Sequence, residues 1–272
     1  MIPVDAQTMR EIAPRLGGKA AERQAAIIAA VGEVLRPTLE GYDITTRLRI
    51  AHFLGQTCHE SAGFSTTEEF AGGEAYEGRR DLGNTRPGDG PRYKGRGLLQ
   101  LTGRTNYREY GKPLGIDLER DPERAAEPAF SLRIACEYWR RRDLNAACDR
   151  DDLLRVTRLI NGGLNGLEER RTYTSRAKAA LARIEGFQVS GAQPPTNDRP
   201  VLQRGSKGEG VAELQRLLRD LDFDLAVDGD FGPATEVAVM RFQSERKLER
   251  DGIVGGRTWA TLDEVGRKKA AE

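Results

Sequence analysis

Acidic side chains lie close together in the first third of the chain, at a spacing that could support proton transfer. His59 and Glu60 are followed by Glu69, nine residues after Glu60, with Glu68 directly before it. Two carboxyl groups that face one cleft can cleave a glycosidic bond, because this reaction needs a general acid and a second carboxylate. The residue types therefore suggest glycosidic cleavage as a first hypothesis.

The spacing limits how Glu60 and Glu69 could cooperate. On an unbroken helix nine residues rotate by about 900°, so the two side chains would lie on opposite faces, roughly 13 Å apart along the axis. Gly63 can end the helix after Glu60 and let residues 64–70 fold back across the mouth of a cleft. Spacing alone still favours two solvated surface glutamates over a catalytic pair.

Other catalytic and metal-binding patterns are missing from the sequence. His59-Glu60 could begin an H-E-x-x-H zinc motif, but position 63 is glycine. The only other histidine is His52, so the usual set of zinc ligands is missing. There is no Walker G-K-[ST], no G-x-S-x-G and no G-x-G-x-x-G pattern. The sequence therefore predicts no metal and no cofactor, and it disfavours NTPases, dinucleotide enzymes and serine hydrolases of the G-x-S-x-G type.

Composition excludes further classes of protein. The 272 residues carry 43 Lys plus Arg against 42 Asp plus Glu, a net charge of +1, whereas nucleic-acid binders that depend on bulk charge show a basic excess. No apolar run approaches the ~18–20 residues of a membrane span, and the N-terminus lacks the features of a secretory signal. We expect a monomer with no nucleic-acid partner and no membrane segment.

The cysteines point to reduced thiols rather than a disulfide framework. They are odd in number, and none belongs to a C-x-x-C pair. We expect them to behave as small buried hydrophobic side chains. They are Cys58, Cys136 and Cys148.

A proline-rich stretch divides the chain into two parts. The segment from Val189 to Pro200 contains three prolines and almost no apolar residue, a composition typical of an extended, semi-stiff spacer. The predicted organisation is a first domain of residues 1–188, a linker of residues 189–200 and a second domain of residues 201–272.

The first domain is predicted to be mainly α-helical. Asp43 could cap a helix whose apolar residues recur at i, i+4 and i+7 as far as Ala62. Further helices are expected over residues 130–144, 152–160 and 168–184. Between Phe64 and Gly97, glycines and prolines break the pattern into turns and short extended pieces, and Leu98 to Leu101 could form a strand. The domain is therefore predicted to be helical with a small Gly-rich extended insert.

The second domain contains an internal repeat. Residues 228–235 and 251–258 share the pattern D-G-x-(F/V)-G-x-x-T, 23 residues apart. Apolar residues at helical spacing precede the first copy and also lie between the two copies. The pattern predicts three short helices joined by two similar turns, a unit too small for a deep catalytic cleft and typical of a binding module.

Four ordered motifs resemble family-19 glycoside hydrolases, the chitinase-like enzymes that also serve as bacteriophage endolysins. The segment Y-K-G-R-G-L-L-Q-L-T-G-R-T-N-Y (93–107) resembles the family signature, and three further motifs fit in order. They are A-H-F-L-G-Q-T-C-H-E-S-A-G-F (51–64), T-E-E-F (67–70) and L-I-N-G-G-L-N-G (159–166). The short insert and residues 75–84 resemble the phage enzymes, and residues 228–259 resemble a peptidoglycan-binding repeat domain.

The resemblance to family 19 implies catalytic roles for three residues. Glu60 matches the general acid and Glu69 the general base of an inverting reaction, with carboxyl groups roughly 6.5–9.5 Å apart. Thr102 matches a hydroxyl residue that holds the attacking water. Because Glu68 lies beside Glu69, the identity of the base stays open.

The resemblance also implies which residues line the sugar cleft. The matching polar positions are Gln100, Asn106 and Asn161. Tyr93 could stack on a sugar or pack in the core, and His59 is expected to support the site by hydrogen bonding. Arg170, with Arg171 as an alternative, matches a basic residue that tunes the carboxylates; a cation near Glu69 would keep it ionised, and a drier setting would keep Glu60 protonated.

Together these resemblances imply an endolysin that hydrolyses β-1,4 glycosidic bonds of bacterial peptidoglycan, with a wall-binding module at its C-terminus. MurNAc–GlcNAc is the expected bond. The endolysin resemblance further implies accumulation in the host cytoplasm and release to the wall through a separate pore. Two alternatives stay open: a chitinase acting on GlcNAc polymers, and a non-catalytic wall-binding protein.

Overall fold

The protein is described by a computed structural model over residues 1–189, 199–246, 248 and 250–269. The chain divides into two compact units, Met1–Gly186 and Phe187–Glu272. Residues 190–198 of the predicted linker lie outside the described residues. The mainly α-helical fold is confirmed, because the described residues form helices and isolated β-bridges and no sheet.

Nine α-helices make up the described first unit. They are α1 (Ala6–Ile12), α2 (Gly18–Gly41), α3 (Arg47–Glu60), α4 (Asp89–Arg92), α5 (Arg104–Leu114), α6 (Pro128–Arg141), α7 (Leu144–Asp149), α8 (Leu153–Asn161) and α9 (Leu167–Val189). Short 3₁₀ helices at Glu74–Tyr76, Arg80–Leu82 and Pro122–Ala126 lie between them. The three helices predicted over 130–144, 152–160 and 168–184 correspond to α6, α8 and α9.

Helix α3 is the centre of the first unit. Every residue from Ile50 to Cys58 is buried, as expected for a helix enclosed on all sides by protein. The helix begins after Thr46, whose hydroxyl oxygen accepts a hydrogen bond from the Arg49 amide at 3.3 Å. The prediction of Asp43 as the cap is wrong, since Asp43 lies in the preceding loop with φ +56°.

Helix α2 is the longest helix among the described residues, and the sequence analysis did not predict it. Its buried residues follow helical spacing: Gln24, Ile28, Val31, Leu35 and Leu39. Its start carries glycine rather than a side-chain cap, and Pro37 lies in its interior. Glycine and proline normally indicate a break in a helix. These residues therefore conceal α2 from sequence analysis, although tertiary packing stabilises the helix.

The predicted strand from Leu98 to Leu101 is wrong. Arg96 and Leu101 exchange two backbone hydrogen bonds, of 3.1 and 2.7 Å, and residues 97–100 form the tight turn between them. Gly97 and Gln100 both adopt positive φ, +84° and +51°. The turn begins beside the 68–69 segment, because Arg96 also pairs with Glu68 in a β-bridge.

The second unit contains three described helices, as predicted. They are α10 (Glu209–Asp220), α11 (Pro233–Glu245) and α12 (Gly256–Lys269). Their inner faces meet around a core that includes Phe231, Phe242 and Trp259, each with at most 1% of its surface exposed. Trp259 also donates its indole N–H to the Pro200 carbonyl at 3.0 Å, which anchors the chain just before α10 begins.

A glutamine holds each copy of the internal repeat. The amide oxygen of Gln215 accepts hydrogen bonds from the backbone of Asp228 and Gly229, at 3.0 and 2.9 Å. The amide oxygen of Gln243 accepts one from Gly252 at 2.8 Å. Each amide nitrogen also donates to the aspartate that opens its turn, at 2.8 Å in both copies. The D-G repeat is therefore a structural device in which a helix side chain replaces missing backbone partners.

His52 is buried in α3 with only one of its ring nitrogens paired. Nε2 lies 2.8 Å from Asp151 Oδ1, while buried Nδ1 has no hydrogen-bond partner among the described residues. Burial lowers the pKa of His52, although the hydrogen bond to Asp151 acts in the opposite direction. The folded protein therefore holds His52 neutral where the unfolded chain takes up a proton.

We expect the free energy of unfolding of the first unit to fall as pH decreases from about 7.5 to about 5.5, by up to about 1 kcal/mol from His52. The sign follows from a depressed folded pKa: this contribution is present above the unfolded pKa and lost below it. His52→Gln should make the free energy of unfolding depend less steeply on pH over this range. Urea unfolding followed by labelling of the three buried cysteines, all in the first unit, measures it; an unchanged slope in the variant would contradict the assignment.

Candidate active site

The chain reverses direction directly after Glu60, the last residue of α3. Ala62, Gly63 and Phe64 take positive φ values of +49°, +74° and +61°. The Gly63 amide donates to Cys58 O at 2.7 Å, and its carbonyl accepts a hydrogen bond from the Gln24 side chain at 2.6 Å. Gly63 must be glycine, because a Cβ there would lie 2.4 Å from Pro14 Cγ. The turn predicted at Gly63 is confirmed.

Glu69 is held against Gly95 by two kinds of hydrogen bond. Its amide donates to the Gly95 carbonyl at 3.0 Å, and its carboxylate Oε1 accepts from the Gly95 amide at 2.6 Å. The other oxygen, Oε2, accepts from the hydroxyl of Tyr76 at 2.9 Å. Both carboxylate oxygens are thus engaged by donors that do not belong to charged groups.

Glu68 has different partners. Its Oε1 lies 3.1 Å from Lys94 Nζ and 3.2 Å from Arg96 Nε, so its charge is neutralised by two cations. Adjacent residues of the sequence therefore differ in chemistry: Glu68 belongs to an ion-pair cluster, and Glu69 is held by neutral donors. This difference favours Glu69 over Glu68 as a group available to accept a proton.

Glu60 is bound by a buried arginine. Arg170, 1% exposed, donates from Nη2 to Glu60 Oε1 at 2.5 Å and from Nη1 to Gln56 Oε1 at 2.5 Å. Its Nε donates to the Asn165 carbonyl at 3.1 Å. Arg170 therefore pairs with Glu60 rather than with Glu69, because α9 directs its guanidinium to the end of α3. A buried side chain also cannot line the sugar cleft, so Arg170 acts through Glu60.

The alternative, Arg171, points elsewhere. Its guanidinium lies 3.6 Å from Glu168 on the exposed face of α9, with about half of its side chain exposed. One residue of displacement on a helix rotates the side chain by about 100°. Only Arg170 faces α3.

His59 supports the loop that follows α8. Its Nδ1 lies 2.5 Å from Glu169 Oε2, and Glu169 Oε1 accepts a hydrogen bond from Tyr173 at 2.9 Å. The imidazole also lies directly against Gly166. His59 is thus engaged in hydrogen bonds with α9, as predicted.

The three polar residues after Gly97 form one connected turn. Thr102 Oγ1 donates to the Gln100 carbonyl at 2.9 Å, and Asn106 donates to the Thr102 carbonyl at 2.7 Å. Gln100 donates to Gly97 O at 2.9 Å. Its side-chain oxygen lies 2.8 Å from where a Cβ of Gly95 would be, and Glu69 Oε2 lies 3.4 Å from the same point. Gln100 and Glu69 therefore flank the same glycine.

Asn161 ends α8, and the following Gly162 takes φ +74°. Its side-chain nitrogen is shielded from solvent and has no hydrogen-bond partner among the described residues. Buried polar atoms in folded proteins are almost always paired. An unpaired amide donor at a helix end is consistent with a position that binds a ligand acceptor.

Tyr93 is a buried core residue. Its ring is 1% exposed, packs edge-on against Tyr107 at 5.4 Å, and donates its hydroxyl to the Glu119 carbonyl at 2.9 Å. The prediction that Tyr93 binds sugar is therefore wrong. The alternative of core packing is confirmed.

Sequence reasoning missed three residues that define the geometry. Gln56 binds Arg170, Gly95 binds Glu69 through its backbone, and Tyr76 binds Glu69 through its hydroxyl. Gly95 lay within the recognised 93–107 motif, and Gln56 within the 51–64 motif. No local pattern connects Tyr76 to Glu69, because their contact depends on the fold of the intervening loop.

The arrangement combines two carboxylates in different electrostatic settings, separated by a turn, with amides and a hydroxyl nearby. Such an arrangement suits hydrolysis of a glycosidic bond, in which one carboxyl group donates a proton to the leaving oxygen and the other accepts one from water. Among the described residues, no group of three or more His, Cys, Asp or Glu side chains is placed to hold a metal ion. In the same part of the chain, no helix is both long and apolar enough to cross a membrane.

Comparison with protein families identifies the first unit. The model described as chitinase class I, glycoside hydrolase family 19, matches residues 16–154, just over half of the chain. The chain belongs to glycoside hydrolase family 19. A peptidoglycan-binding domain model matches residues 207–262 in the second unit. The protein is thus a glycoside hydrolase with a peptidoglycan-binding domain.

Two relatives illustrate the similarity. A glycosyl hydrolase family 19 domain-containing protein of Haemophilus influenzae is 29% identical over 174 residues, covering 53% of this chain and 85% of that protein. The acidic endochitinase Q of Nicotiana tabacum is 36% identical over 116 residues, covering 42% of this chain and 43% of the tobacco protein. The chain thus spans less than half the length of the plant enzyme.

Among solved structures, chitinase C from Streptomyces griseus matches with a TM-score of 0.48 at 21% identity. The match covers 71% of this family 19 chain and 78% of the Streptomyces chain.

Gly95→Ala should reduce glycosidase activity roughly 10- to 100-fold, because small displacements of catalytic groups are costly. The new Cβ would lie 2.8 Å from Gln100 Oε1 and 3.3 Å from Glu69 Cδ, so both side chains must move. Release of reducing ends from a glycan substrate measures the effect. Gly41→Ala, at a glycine with no atom within 4 Å of the added Cβ, is the matched control and should retain full activity; equal activity of both variants would contradict the geometry.

Proposed function

We propose that this family 19 enzyme hydrolyses β-1,4 glycosidic bonds of bacterial peptidoglycan as an endolysin, with Glu60 as general acid and Glu69 as general base. The observation that carries the proposal is the contrast between the two carboxylates. Glu60 is held by buried Arg170 at the end of α3, and Glu69 is held by Gly95 and Tyr76 beyond the turn. Two carboxyl groups with separate supports can take opposite roles in one reaction.

In the proposed reaction the proton of Glu60 goes to the oxygen of the leaving sugar as the glycosidic bond breaks. A water molecule on the opposite face of the sugar gives its proton to Glu69 and bonds through its oxygen to the anomeric carbon. The products are a new reducing end with inverted configuration and a free hydroxyl on the leaving sugar. Thr102, whose hydroxyl faces the 97–102 turn, is proposed to hold this water.

Arg170 leaves room for the acid role of Glu60. The guanidinium donates to Oε1, so the proposal places the catalytic proton on Oε2. With 20% of its side chain exposed, Glu60 can reach a substrate, and the ion pair fixes its rotamer. Positioning of this kind converts an approach in solution into a nearly intramolecular proton transfer.

The amide side chains are proposed to bind the sugars. Asn161 offers a shielded Nδ2 donor without a partner among the described residues, and a sugar acetamide or hydroxyl oxygen is a suitable acceptor. Gln100 and Asn106 lie on the turn that carries Thr102. We propose that these side chains orient the sugar relative to the two carboxylates.

The second unit favours peptidoglycan as the substrate. A module that binds the wall raises the local concentration of the attached enzyme without new chemistry, and residues 207–262 match a peptidoglycan-binding domain. A chitinase is the second candidate, because the family model is that of class I chitinases and plant endochitinases are similar to the first unit. MurNAc–GlcNAc is the bond we propose.

The proposal includes the place of action. As an endolysin, the enzyme would accumulate in the cytoplasm of a host and reach the wall through a separate membrane pore. The short insert, the resemblance of residues 75–84 to phage enzymes and the wall-binding unit support this role.

Glu60→Gln should abolish the release of reducing ends from purified peptidoglycan, by about 100-fold or more, because the amide keeps the shape but carries no acidic proton. Borohydride reduction and mass spectrometry of the wild-type products identify the new terminus. A reduced muramic acid terminus is expected. Release of free amines without reducing ends would indicate an amidase or peptidase, and full activity of Glu60→Gln would overturn the carboxylate mechanism.

Sedimentation with insoluble polymers distinguishes the two substrate candidates. Glu60→Gln cannot digest the particles, so its binding can be measured at equilibrium. We expect it to sediment with peptidoglycan sacculi at least about tenfold more tightly than with chitin of equal surface area, a difference of about 1.4 kcal/mol. Bovine serum albumin in the same tubes controls for trapping. Stronger retention on chitin, with chitin cleaved faster by wild type, would favour the chitinase.

A further inference from the structure

Tyr76 reaches the carboxylate of Glu69 from a loop that the family resemblance assigns no catalytic part. Its hydroxyl donates to Glu69 Oε2 at 2.9 Å, seven residues along the chain. We propose that Tyr76 is a positioning residue that fixes the Glu69 carboxylate for proton abstraction from water. This inference rests on the proposed role of Glu69 as general base.

The two donors on Glu69 define the plane of its carboxylate. The Gly95 amide binds Oε1 at 2.6 Å, and the Tyr76 hydroxyl binds Oε2 at 2.9 Å. Each carboxylate oxygen can accept more than one hydrogen bond, so both keep an acceptor site for a water proton. Rotation about the last side-chain bond would break both contacts, which leaves one favoured orientation.

The loop around Tyr76 is built to hold it in place. The carboxylate of Glu77 accepts hydrogen bonds from the amides of Gly88 and Gly90 at 2.8 and 2.7 Å. The Tyr76 carbonyl accepts a hydrogen bond from the side chain of Asn84 at 2.9 Å. The backbone is therefore tied on both sides of the phenol.

Asn84 connects this loop to the start of α5. It is fully buried, and its side-chain oxygen accepts a hydrogen bond from the Arg104 amide at 2.8 Å. Arg104 in turn forms an ion pair with Asp89, which is 1% exposed. The same α5 follows the turn that carries Thr102, so one network positions the tyrosine and the proposed water-holding hydroxyl.

The phenol stays a donor throughout the working range of pH. Burial and the neighbouring Glu69 raise the pKa of Tyr76 above its ordinary value of 10.0. A neutral phenol that donates to a carboxylate favours the charged form of that carboxylate. Tyr76 therefore acts as a neutral donor to Glu69 Oε2.

The ionisable groups around Tyr76 and Glu69 already have partners of their own. Glu68 is paired with Lys94 and Arg96, and Arg79 is paired with Asp81 at 2.6 Å. Tyr107 is buried and accepts a hydrogen bond from Arg96 at 3.2 Å. Loss of the Tyr76 hydroxyl would thus leave Glu69 Oε2 without a cation positioned to replace it.

The test compares Tyr76→Phe with wild type in the full-length protein, using soluble glycan strands of peptidoglycan and measuring kcat, KM and the pH profile of kcat/KM. We expect kcat to fall roughly 10-fold or more with KM nearly unchanged, since a hydrogen bond to a charged group is lost. The acidic limb of the profile should move to higher pH, because the charged form of Glu69 loses a donor. A merely structural role would not move that limb.

Two further variants keep the outcome interpretable. Tyr110→Phe removes a tyrosine hydroxyl that accepts a hydrogen bond from Arg142 at 2.9 Å, on the far side of α5, and should retain the wild-type profile. Tyr76→His should recover part of kcat if it restores a donor. Circular dichroism melting of all variants reports folding, and a folded Tyr76→Phe with wild-type kcat and pH profile would overturn the inference.

Glu69→Gln separates failure of this inference from failure of the proposed function. If Glu69→Gln is inactive while Tyr76→Phe behaves as wild type, Glu69 is essential and Tyr76 does not position it. If Glu69→Gln keeps wild-type activity, Glu69 is not the base, and the proposal for Tyr76 falls with it.

Discussion

The buried guanidinium of Arg170 is the interaction on which the first unit's candidate site depends. Burying a charge is costly unless it is paired and hydrogen-bonded, and here Glu60, Gln56 and the Asn165 carbonyl satisfy it. These partners lie on α3 and on the loop before α9, so the ion pair joins the two elements at the cleft. Removing one partner from a buried pair costs about 3–5 kcal/mol, and the location of Glu60 is therefore coupled to the packing of α3 against α9.

The second constraint is the reversal of the chain after Glu60. Three consecutive residues with positive φ would be unstable in isolation, but buried Phe64 and the hydrogen bonds of Gly63 hold them. The reversal separates the two carboxylates into different surroundings. Glu60 meets a cation from α9, whereas Glu69 meets the backbone of Gly95 and a phenol. The different proton-transfer roles proposed for the two residues thus follow from which elements approach each side of one turn.

Local patterns predicted the helices with clear caps and stops, such as α8 between Asp152 and Gly162, and the turn at Gly63. They failed for α2, where Pro37 and a glycine start conceal a helix that exists because its apolar face packs inside the unit. For the site, motif resemblance pointed to Glu60, Glu69 and Arg170 but left open which carboxylate the arginine pairs with. Which carboxylate Arg170 reaches depends on how α9 packs against α3, and residue spacing within one helix does not specify that packing.

In the second unit, the sequence repeat correctly predicted two similar turns, but it did not show what holds them. The repeated D-G turn was visible in the sequence, but its cause was the glutamine on the preceding helix, at different distances along the chain in the two copies. Gln215 precedes its aspartate by 13 residues and Gln243 by 8, so no fixed spacing reveals the pairing. Both glutamines satisfy backbone groups that turns leave without partners. The first unit uses the same device: the side-chain amide of Gln24 on α2 donates to the Gly63 carbonyl in the turn after Glu60, at 2.6 Å. In both units, then, a glutamine on a separate helix completes a turn.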